Sequence, residues 1–494
     1  MYDAIILCGS KSEMAGRNIA GFRLRTSAKK LGYNVLVIDS ASAMTAEELE
    51  ETLNSVVTNK TLALGISTVW LDGTGEKSEI AWINKGVIKR LKERFSKLKI
   101  IAGGVGLLKM RGSMSLYLAS DWHITGFSDD SFPRLLQLLD GKSDHGLRYF
   151  LDSNGKKTVE SNKFHQLENP DIVETEYEQD DGFLPHQPLP LEVSRGCIFR
   201  CAFCNHPFQG AKDYDSYIRT PESIARELKR NFELFGTTRY SLMDDTFNDS
   251  IEKLDRLKKA IDIAKLPNFE FQCYTKPELL VTKPEMIDQL ISIGLVGGFA
   301  GIESFNSYAR KSMNKGMNVH KVFDALEKLN SKSPNVKLHG SIILGLPNDK
   351  PDDFYKWQEY FIQHQETLFK SWEYIPLGIY TPSKADDESS YLSPLEKDPE
   401  SYGYTFTEKK EGYYSFWSNG FVNSVEATEI ALKLNSQTRD IAKPGGWHVS
   451  TAWHVGVDTK DMNNTIANLN LGPRCIAQAR QRAIDTHRKF TKPS

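Results

Sequence analysis

The chain alternates short apolar runs with longer segments of helical spacing, and it does so in two separate blocks. In the first block the apolar runs are Ala4–Leu7, Val35–Ile38, Leu62–Ser67 and Ile100–Ala102. Between them, Ile80–Phe95 places an apolar residue every three or four positions, as a helix with one buried face does. Strands that alternate with helices form parallel sheets covered on both faces. The pattern predicts a doubly wound α/β domain over residues 1–140.

Ligands of such sheets bind beyond the carboxyl ends of the strands, where the connecting loops meet. Glycine and serine are frequent in these predicted loops, and glycine lets the backbone approach a ligand closely. The candidate binding residues are Gly9, Ser10, Ser67, Gly103, Gly104 and Gly126.

A second alternating block is predicted over residues 183–385. Its six strands are Leu191–Ser194, Arg239–Met243, Glu270–Tyr274, Leu295–Gly301, Lys337–Leu344 and Glu373–Leu377. A complete (β/α)8 barrel needs eight such units. Six units therefore predict a partial, open (β/α)6 barrel of the TIM type.

The remaining segments continue neither pattern. Residues 141–182 contain a charged turn and an acidic stretch, which predicts a linker with one small hairpin. Residues 386–494 are predicted to form a smaller, mostly helical C-terminal region. Its aromatic residues between Tyr402 and Trp417 are interpreted as a core rather than a stacking surface. Its basic final helix is interpreted as a solvated face rather than a contact for an anionic group.

Composition argues against several other classes of protein. The 494 residues contain 62 Lys and Arg against 64 Asp and Glu, so no excess of positive charge indicates nucleic-acid binding. No apolar run approaches the roughly 18 residues that span a bilayer. No basic segment precedes the apolar N-terminus, as a secretory signal would require. The protein is therefore expected in the cytoplasm, with reduced thiols and no membrane partner.

Three of the six cysteines, Cys197, Cys201 and Cys204, lie within eight residues. They follow the first predicted strand of the partial barrel, at the end where barrel enzymes place their chemistry. Three thiolates can hold three irons of a cubane cluster and leave the fourth iron open to an exogenous ligand. One alternative is a structural zinc site in which His206 is the fourth ligand. Another is that three buried cysteines lie close together by chance.

The segment Cys197–Cys204 resembles the cluster loop of the radical S-adenosylmethionine (SAM) superfamily, both in its cysteine spacing and in the aromatic Phe203 before the third cysteine. The resemblance implies a [4Fe-4S] cluster whose open iron is chelated by SAM. Reduction then cleaves SAM to methionine and a 5′-deoxyadenosyl radical. It also implies an external electron donor of the flavodoxin or ferredoxin type.

Further motifs extend the resemblance over about 200 residues. They are Met243-Asp244-Asp245-Thr246-Phe247, Gly301-Ile302-Glu303-Ser304, Met313-Asn314-Lys315-Gly316 and Gly340-Ser341-Ile342-Ile343-Leu344-Gly345-Leu346-Pro347. By the resemblance, Phe203 and Asn205 shape the adenine side of SAM. The residues on its amino-acid and ribose side are Asp244, Asp245, Glu303 and Ser341.

A flavodoxin-like (Rossmann-type) domain before such a barrel resembles the cobalamin-binding subgroup of this superfamily. Many cobalamin domains supply a cobalt-ligating His from an Asp-x-His-x-x-Gly motif, but here no His precedes His123. One interpretation is that cobalamin binds without a protein His below the cobalt. The alternatives are that the domain has kept the fold and lost the cofactor, or that it serves only to pack on the barrel.

The leading hypothesis is a cobalamin-dependent radical SAM enzyme that transfers a methyl group to an unactivated centre of a small-molecule or conjugated substrate. No catalytic residue is assigned. One rival keeps the cofactors but carries out ring formation, rearrangement or oxidation without methyl transfer. Another, of a different class, is a zinc-stapled nucleic-acid-binding protein.

Overall fold

The computed structural model describes residues 1–9, 16–69, 71, 83–104, 106–109, 118–142, 147–152, 154–161, 169–204, 217–381, 392–408 and 415–491. Within these ranges the chain forms two large β-sheets with helices on their faces, a two-stranded hairpin and a C-terminal group of helices. In the same ranges, no helix is both long and apolar enough to cross a membrane.

The first sheet confirms the predicted doubly wound architecture. Its strands are β1 (Ala4–Leu7), β2 (Val35–Ile38), β3 (Ala63–Ser67), β4 (Lys99–Gly103), β5 (Trp122–Gly126), β6 (Phe150–Leu151) and β7 (Lys157–Ser161). They are ordered β2-β1-β3-β4-β5-β7-β6, and β6 alone pairs antiparallel to its neighbour. The hairpin predicted in the linker is therefore present as β6 and β7. Because β7 pairs with β5, the hairpin extends this sheet.

Helices cover both faces of the first sheet. They are α1 (Ile19–Lys30), α2 (Ala46–Val56), α3 (Lys89–Arg94), α4 (Gly106–Lys109) and α5 (Ser128–Leu139). Successive strand residues point to opposite faces, so Ile5 packs in the core that contains Leu53 of α2, whereas Ile6 packs in the core that contains Ala28 of α1. In the described part of the predicted helix Ile80–Phe95, a π-helix at Ile83–Ile88 leads into α3.

The second sheet is the predicted partial barrel. Its strands are β8 (Leu189–Leu191), β9 (Arg239–Leu242), β10 (Glu270–Thr275), β11 (Leu295–Glu303), β12 (Lys337–Leu344) and β13 (Ser371–Pro376), in the order β13-β12-β11-β10-β9-β8. All neighbouring strands are parallel. Its helices are α6 (Pro221–Phe235), α7 (Ile251–Ala264), α8 (Glu278–Thr282), α9 (Glu285–Ile293), α10 (Ser307–Ser312), α11 (Val319–Lys332) and α12 (Pro351–Gln363).

The first strand of this sheet lies earlier than predicted, at Leu189–Leu191 instead of Leu191–Ser194. The reason is that the side chain of Asp244 accepts hydrogen bonds from the backbone at this point. The N–H groups of Val193 and Ser194 donate to the carboxylate of Asp244 at 3.0 and 2.8 Å. These two residues thus satisfy their backbone donors outside the sheet, and the chain turns into the cysteine loop.

The C-terminal region contains the hairpin strands β14 (Thr405–Glu408) and β15 (Phe416–Ser418) and the helices α13 (Pro394–Lys397), α14 (Ser424–Thr438), α15 (Trp447–His454) and α16 (Leu471–Thr491). Tyr404 and Trp417 are each 1% exposed and meet edge to face. The predicted aromatic core is confirmed for these two residues, whereas Tyr413 and Tyr414 lie outside the described residues.

The final helix is solvated only in part. Arg474, Arg488 and Lys489 are exposed, in agreement with the interpretation of a solvated face, but the helix also packs on α2 of the first domain. Arg480 makes a bidentate ion pair with Glu48, at 2.6 Å between Nη2 and Oε1. Ala483 of α16 is fully buried in the core of the first domain. Tertiary packing thus brings into contact with the first domain a helix face that the sequence pattern alone indicates to be polar.

This ion pair makes the stability depend on pH. The hydrogen bond that Glu48 accepts from Arg480 lowers the pKa of Glu48 to about 2. Because the folded pKa lies below the ordinary value of 4.5, the stabilisation is present above about pH 4.5 and is lost as the pH falls toward 2. We expect E48Q, which can retain the cap at Thr45, to lower the unfolding free energy by about 1 kcal/mol at pH 7. Denaturant titrations should show the difference narrowing below pH 4.5. E47Q, one position earlier on the same helix, is the control; an equal loss in E47Q would refute the role of the pair.

A glycine joins the barrel to the C-terminal region. Gly345, after β12, has a φ of +95°, and a Cβ there would lie 2.1 Å from the ring of Trp417. Its carbonyl also accepts a hydrogen bond from the Tyr404 hydroxyl at 2.8 Å.

We expect Gly345→Ala to lower the unfolding free energy by about 2–4 kcal/mol, because backbone strain and overpacking add. Gly316 also has a positive φ, +71°, but nothing lies within 4 Å of a Cβ there. Gly316→Ala is therefore expected to cost about 1 kcal/mol. Thermal unfolding of both variants measures the difference. Equal losses would show that the contact with Trp417 is unimportant.

Candidate active site

The cysteine loop is held at the carboxyl end of the barrel by a buried acid. Asp244, 1% exposed, accepts hydrogen bonds from the backbone of Val193 and from the backbone and hydroxyl of Ser194, the hydroxyl at 2.6 Å. Burial raises the pKa of Asp244 to about 6, although Lys253 at 3.7 Å acts against this. Since its oxygens are already engaged, Asp244 positions the loop.

All three cysteines of the loop line one cavity of about 430 Å³. None of the three is in a disulfide bond, and they are half-buried, whereas Cys8, Cys273 and Cys475 are buried. The Sγ of Cys197 lies 3.5 Å from the Thr246 hydroxyl, and the Sγ of Cys201 lies 3.9 Å from the Lys276 ammonium. The loop therefore presents three separate sulfur donors to the same space, next to a hydroxyl and a positive charge.

Two lysines bring positive charge to this cavity. The Nζ of Lys315 donates to the carbonyl of Gly301 at 2.9 Å and lies 3.2 Å from the carboxylate of Glu303. Burial works against the charge of Lys315, but Glu278 and Glu303 outweigh it and raise its pKa. Burial, together with the nearby Lys315, lowers the pKa of Lys276. The cavity can therefore receive both a carboxylate and an ammonium group.

The predicted SAM residues fall into three groups. Phe203, Asp245 and Glu303 line the cavity, with Glu303 held at a φ of +66°. Asp244 also borders it, but its side chain is engaged by the loop. Ser341 lies on the inner face of β12, buried and opposite Gly301, and does not line this cavity. Asn205 and His206 lie outside the described residues.

Sequence reasoning missed Lys276 as a site residue, and it quoted Thr246 and Lys315 without giving either a role. Lys276 follows β10 directly, and Thr246 follows β9 by four residues. Their position just after a strand was the signal that the sequence offered, because polar residues just beyond parallel strands converge at one edge of the sheet. Glycine-rich motifs led instead to candidate residues after other strands.

A second cavity, of about 320 Å³, lies where the first sheet faces the barrel. Of the predicted loop residues, it is lined by Ser67, Gly103, Gly104 and Gly126. Gly9 follows β1 and is buried outside this lining, and Ser10 lies beyond the described residues. The walls are mainly apolar, with Ile6 and Phe132 among them. Met243 and Asp245 border both this cavity and the cysteine cavity, so the two spaces adjoin.

Four buried charges join the two domains beside the second cavity. Arg195, in the loop before Cys197, lies 2.5 Å from Asp129 of α5 and 2.9 Å from Glu192. Arg23 of α1 lies 2.6 Å from Glu192. Burial alone would raise the pKa of Asp129, but Arg195 and Arg23 outweigh it and lower that pKa. The network is neutral overall, which is the arrangement that makes burial of charge tolerable.

His123, the first histidine of the chain, does not reach the second cavity. It is fully buried on β5, with Nε2 2.8 Å from the Ser120 hydroxyl and Nδ1 3.7 Å from Asp152. The described lining of that cavity contains no histidine. The described residues that line this cavity therefore offer no histidine that would bind a metal held there.

The donor set fits a cubane iron–sulfur cluster. In the part of the chain that the structure describes, no three His, Cys, Asp or Glu side chains converge closely enough to share one metal ion. A cubane differs from a single ion, since each thiolate binds its own iron. The apolar second cavity fits a flat organic cofactor. Its Gly104, with a φ of +114°, leaves open a place where a side chain would press on Thr68.

Comparison with known proteins agrees with this geometry. Residues 191–361 match the family model of the radical SAM superfamily. Bacteriochlorophyllide d C-12(1)-methyltransferase from Chlorobaculum tepidum is 25% identical over 185 residues, which cover 36% of this chain and 38% of that protein. tRNA-2-methylthio-N(6)-dimethylallyladenosine synthase from Helicobacter hepaticus is 23% identical over 244 residues, or 46% of this chain and 52% of that protein. The chain thus spans between about a third and a half of these two relatives.

Solved structures match over more of the chain. The radical S-adenosylmethionine methyltransferase TsrM from Kitasatospora setae superposes with a TM-score of 0.67 at 12% identity, and 99% of each chain is covered. The cobalamin-dependent S-adenosylmethionine radical enzyme OxsB superposes with a TM-score of 0.55 at 14% identity, covering 81% of this chain and 56% of that one. At such identities the likeness concerns the fold. The family match shows that residues 191–361 form a radical SAM domain.

Proposed function

We propose that this protein is a cobalamin-dependent radical SAM methyltransferase acting on an unactivated carbon or phosphorus centre. The observation that carries the proposal is the pair of adjoining cavities. One is lined by Cys197, Cys201 and Cys204, the other by the loops of the first sheet, and Met243 and Asp245 border both. When bound, the cluster and cobalamin would supply radical chemistry and a transferable methyl group.

The protein's own residues would bind and orient these groups. Cys197, Cys201 and Cys204 hold the cluster. Phe203 packs at the adenine side of SAM, and Asp245 and Glu303 meet its amino-acid and ribose side. Lys276 and Lys315 balance the thiolates and the SAM carboxylate. The loops with Ser67, Gly103, Gly104 and Gly126 accept cobalamin, while the apolar walls exclude water.

The proposal assigns a role to each part of the chain. Residues 1–140 bind cobalamin, 141–182 lead to the barrel and add the β6–β7 hairpin to the first sheet, 183–385 form the radical SAM barrel and 386–494 complete the substrate side. An external electron donor and a small-molecule or conjugated substrate are the expected partners. Since the cluster requires reduced thiols, we place the protein in the cytoplasm.

Anaerobic reconstitution with iron and sulfide, followed by reductant and SAM, tests the chemistry. We expect a visible cluster absorbance, 5′-deoxyadenosine and S-adenosylhomocysteine. A folded, cluster-loaded protein that forms neither product would contradict the proposal. S-adenosylhomocysteine separates methyl transfer from ring formation, rearrangement or oxidation. Metal analysis that finds zinc without iron and labile sulfide would favour the zinc-stapled alternative.

Visible spectra with and without added cobalamin test the second cofactor. We expect a corrinoid to remain with the protein after gel filtration. Gly104→Val should reduce its retention about tenfold or more, because the new side chain would meet Thr68 and adopt an unfavourable positive φ. Gly316→Val, with open space around its Cβ, is the matched control. Equal retention by wild type and both variants would argue against this cavity as the binding site.

A further inference from the structure

A row of rings runs from the cysteine cavity into the interior of the partial barrel. Tyr274 and Phe299, which line that cavity, have ring centroids 4.8 Å apart. Phe299 stacks on His339 at 5.1 Å, and His339 meets His448 at 5.3 Å. His448 in turn stacks on Trp447 at 3.9 Å. Together these five side chains form a continuous ring surface, here called the inner wall.

The C-terminal helix α15 completes this wall from the opposite end of the barrel. The N–H of Gly446, just before α15, donates to the carbonyl of Lys337 at the start of β12 at 2.9 Å. Ser450 of α15 hydrogen-bonds Ser241 of β9. The helix thus closes the amino-terminal end of the barrel, and Trp447 and His448 stand at its inward end.

The inner wall is only partly covered by the protein. Tyr274, Phe299, Trp447 and His448 are half-buried, although they lie inside the fold. A hydrophobic core buries its rings, whereas partly exposed rings that line a concavity are typical of ligand sites. The interior therefore offers apolar, ring-lined surface beside the cysteine cavity.

One carboxylate faces this surface without a cation of its own. Glu373 lies on the same, inner face of β13 as Ser371 and Ile375, and its side chain is 31% exposed. Among the described residues, its carboxylate lies 3.5 Å from the Nε2 of His339, and no Lys or Arg lies within 4 Å of it. The Nε2 of His339, a residue 1% exposed, has no hydrogen-bond partner. The partly exposed carboxylate of Glu373 is therefore available to a ligand.

We propose that the inner wall binds the substrate, and that this substrate is a planar aromatic ring system carrying an amine or ring N–H that donates to Glu373. The rings supply flat contact area and attract a cation over their faces. The inference rests on the proposed function, since it places the ring system beside the cavity for the cluster and SAM. It adds the chemical class that the proposed function leaves open.

A groove of about 700 Å³ is the competing location. It is lined by Phe203, Cys204, Ile375, Trp417 and Glu429 among others, and it opens toward α14. It reaches the cysteine loop through Phe203 and Cys204, the side assigned to adenine. The inner wall also shares two residues with the cysteine cavity, Tyr274 and Phe299. The inner wall is favoured because the two residues that the groove shares lie on the side assigned to adenine.

Calorimetric titration of the reconstituted, SAM-loaded full chain with three probes tests the proposal. The probes are 1-naphthylmethylammonium, 1-naphthoate and cyclohexylmethylammonium. We expect the aromatic cation to bind at least about tenfold more tightly than either of the others. E373Q should remove its advantage over naphthoate, and W447A its advantage over the cyclohexyl cation. E429Q, in the groove, should leave the affinities unchanged.

Equal affinity for the three probes, or a loss in E429Q instead of E373Q, would overturn the proposal. Thermal midpoints and cluster absorbance of each variant distinguish lost binding from misfolding, and W447F keeps a ring if W447A does not fold. If the protein consumes SAM but shows no probe discrimination, this inference fails and the proposed function stands. If probe discrimination follows Glu373 while SAM is never consumed, the proposed function fails alone.

Discussion

Replacing Cys201 with alanine is expected to abolish SAM cleavage. With two thiolates in place of three, the loop cannot hold three irons of a cubane cluster. The Sγ of Cys201 is also the one that lies 3.9 Å from the ammonium of Lys276, so its loss leaves that charge without its sulfur partner. We expect iron and sulfide content to fall and production of 5′-deoxyadenosine to drop by at least about a hundredfold.

Cys475→Ala is the matched control, because Cys475 is a buried cysteine on α16 that does not line the cysteine cavity. It should load iron and cleave SAM as wild type does. Circular dichroism and thermal unfolding establish that both variants fold. Full iron content and activity in Cys201→Ala would show that the cavity does not hold the cluster.

Replacing Arg195 with methionine is expected to have the largest effect on stability. Arg195 pairs with Asp129 of the first domain and Glu192 of the barrel, and the side chains of all three are at least nine-tenths buried. Removing it leaves two buried carboxylates with Arg23 as their remaining cation in the network. Breaking a buried charge network in this way costs about 3–5 kcal/mol.

The double variant R195M/D129N identifies the cause. It removes one charge of each sign and leaves the Arg23–Glu192 pair at 2.6 Å. We therefore expect the double variant to be more stable than R195M alone, and urea unfolding to measure the difference. Cobalamin retention should follow the same order, because the network borders the second cavity. A double variant less stable than R195M would contradict a cost arising from unpaired charge.

Local patterns predicted the architecture well because they report local constraints. Strand–helix alternation depends on which face of each element is buried, and β1, β2 and β12 fall where the apolar runs predicted them. The predicted strand Leu191–Ser194 was misplaced because Asp244, some fifty residues away, captures the backbone of Val193 and Ser194. A contact between distant residues leaves no trace in a window of five or ten positions.

The candidate site divides in the same way. The three cysteines share one short loop, so their spacing alone indicated a metal-binding group. Lys276 was missed because one lysine after one strand is unremarkable until the sheet places it beside Cys201. Asp244 was expected to face SAM, whereas the structure engages its side chain beneath the loop. The residue type alone does not indicate the position of either side chain, because that position depends on which strands are neighbours in the sheet.

The amino-acid sequence by itself determined that this chain forms two parallel α/β sheets, that three cysteines follow the first strand of the second sheet, and that glycine-rich loops end the strands of the first. These are properties of neighbouring residues, and periodicity and spacing carry them. The tertiary structure alone decided that the loops at the carboxyl ends of the strands of the two sheets face each other, and that Met243 and Asp245 border both the cysteine cavity and the second cavity. It also decided that α16 returns to α2 and that α15 closes the barrel beneath the inner wall. These arrangements arise when buried faces from distant segments find one another, because burial of apolar surface has no preferred separation along the chain.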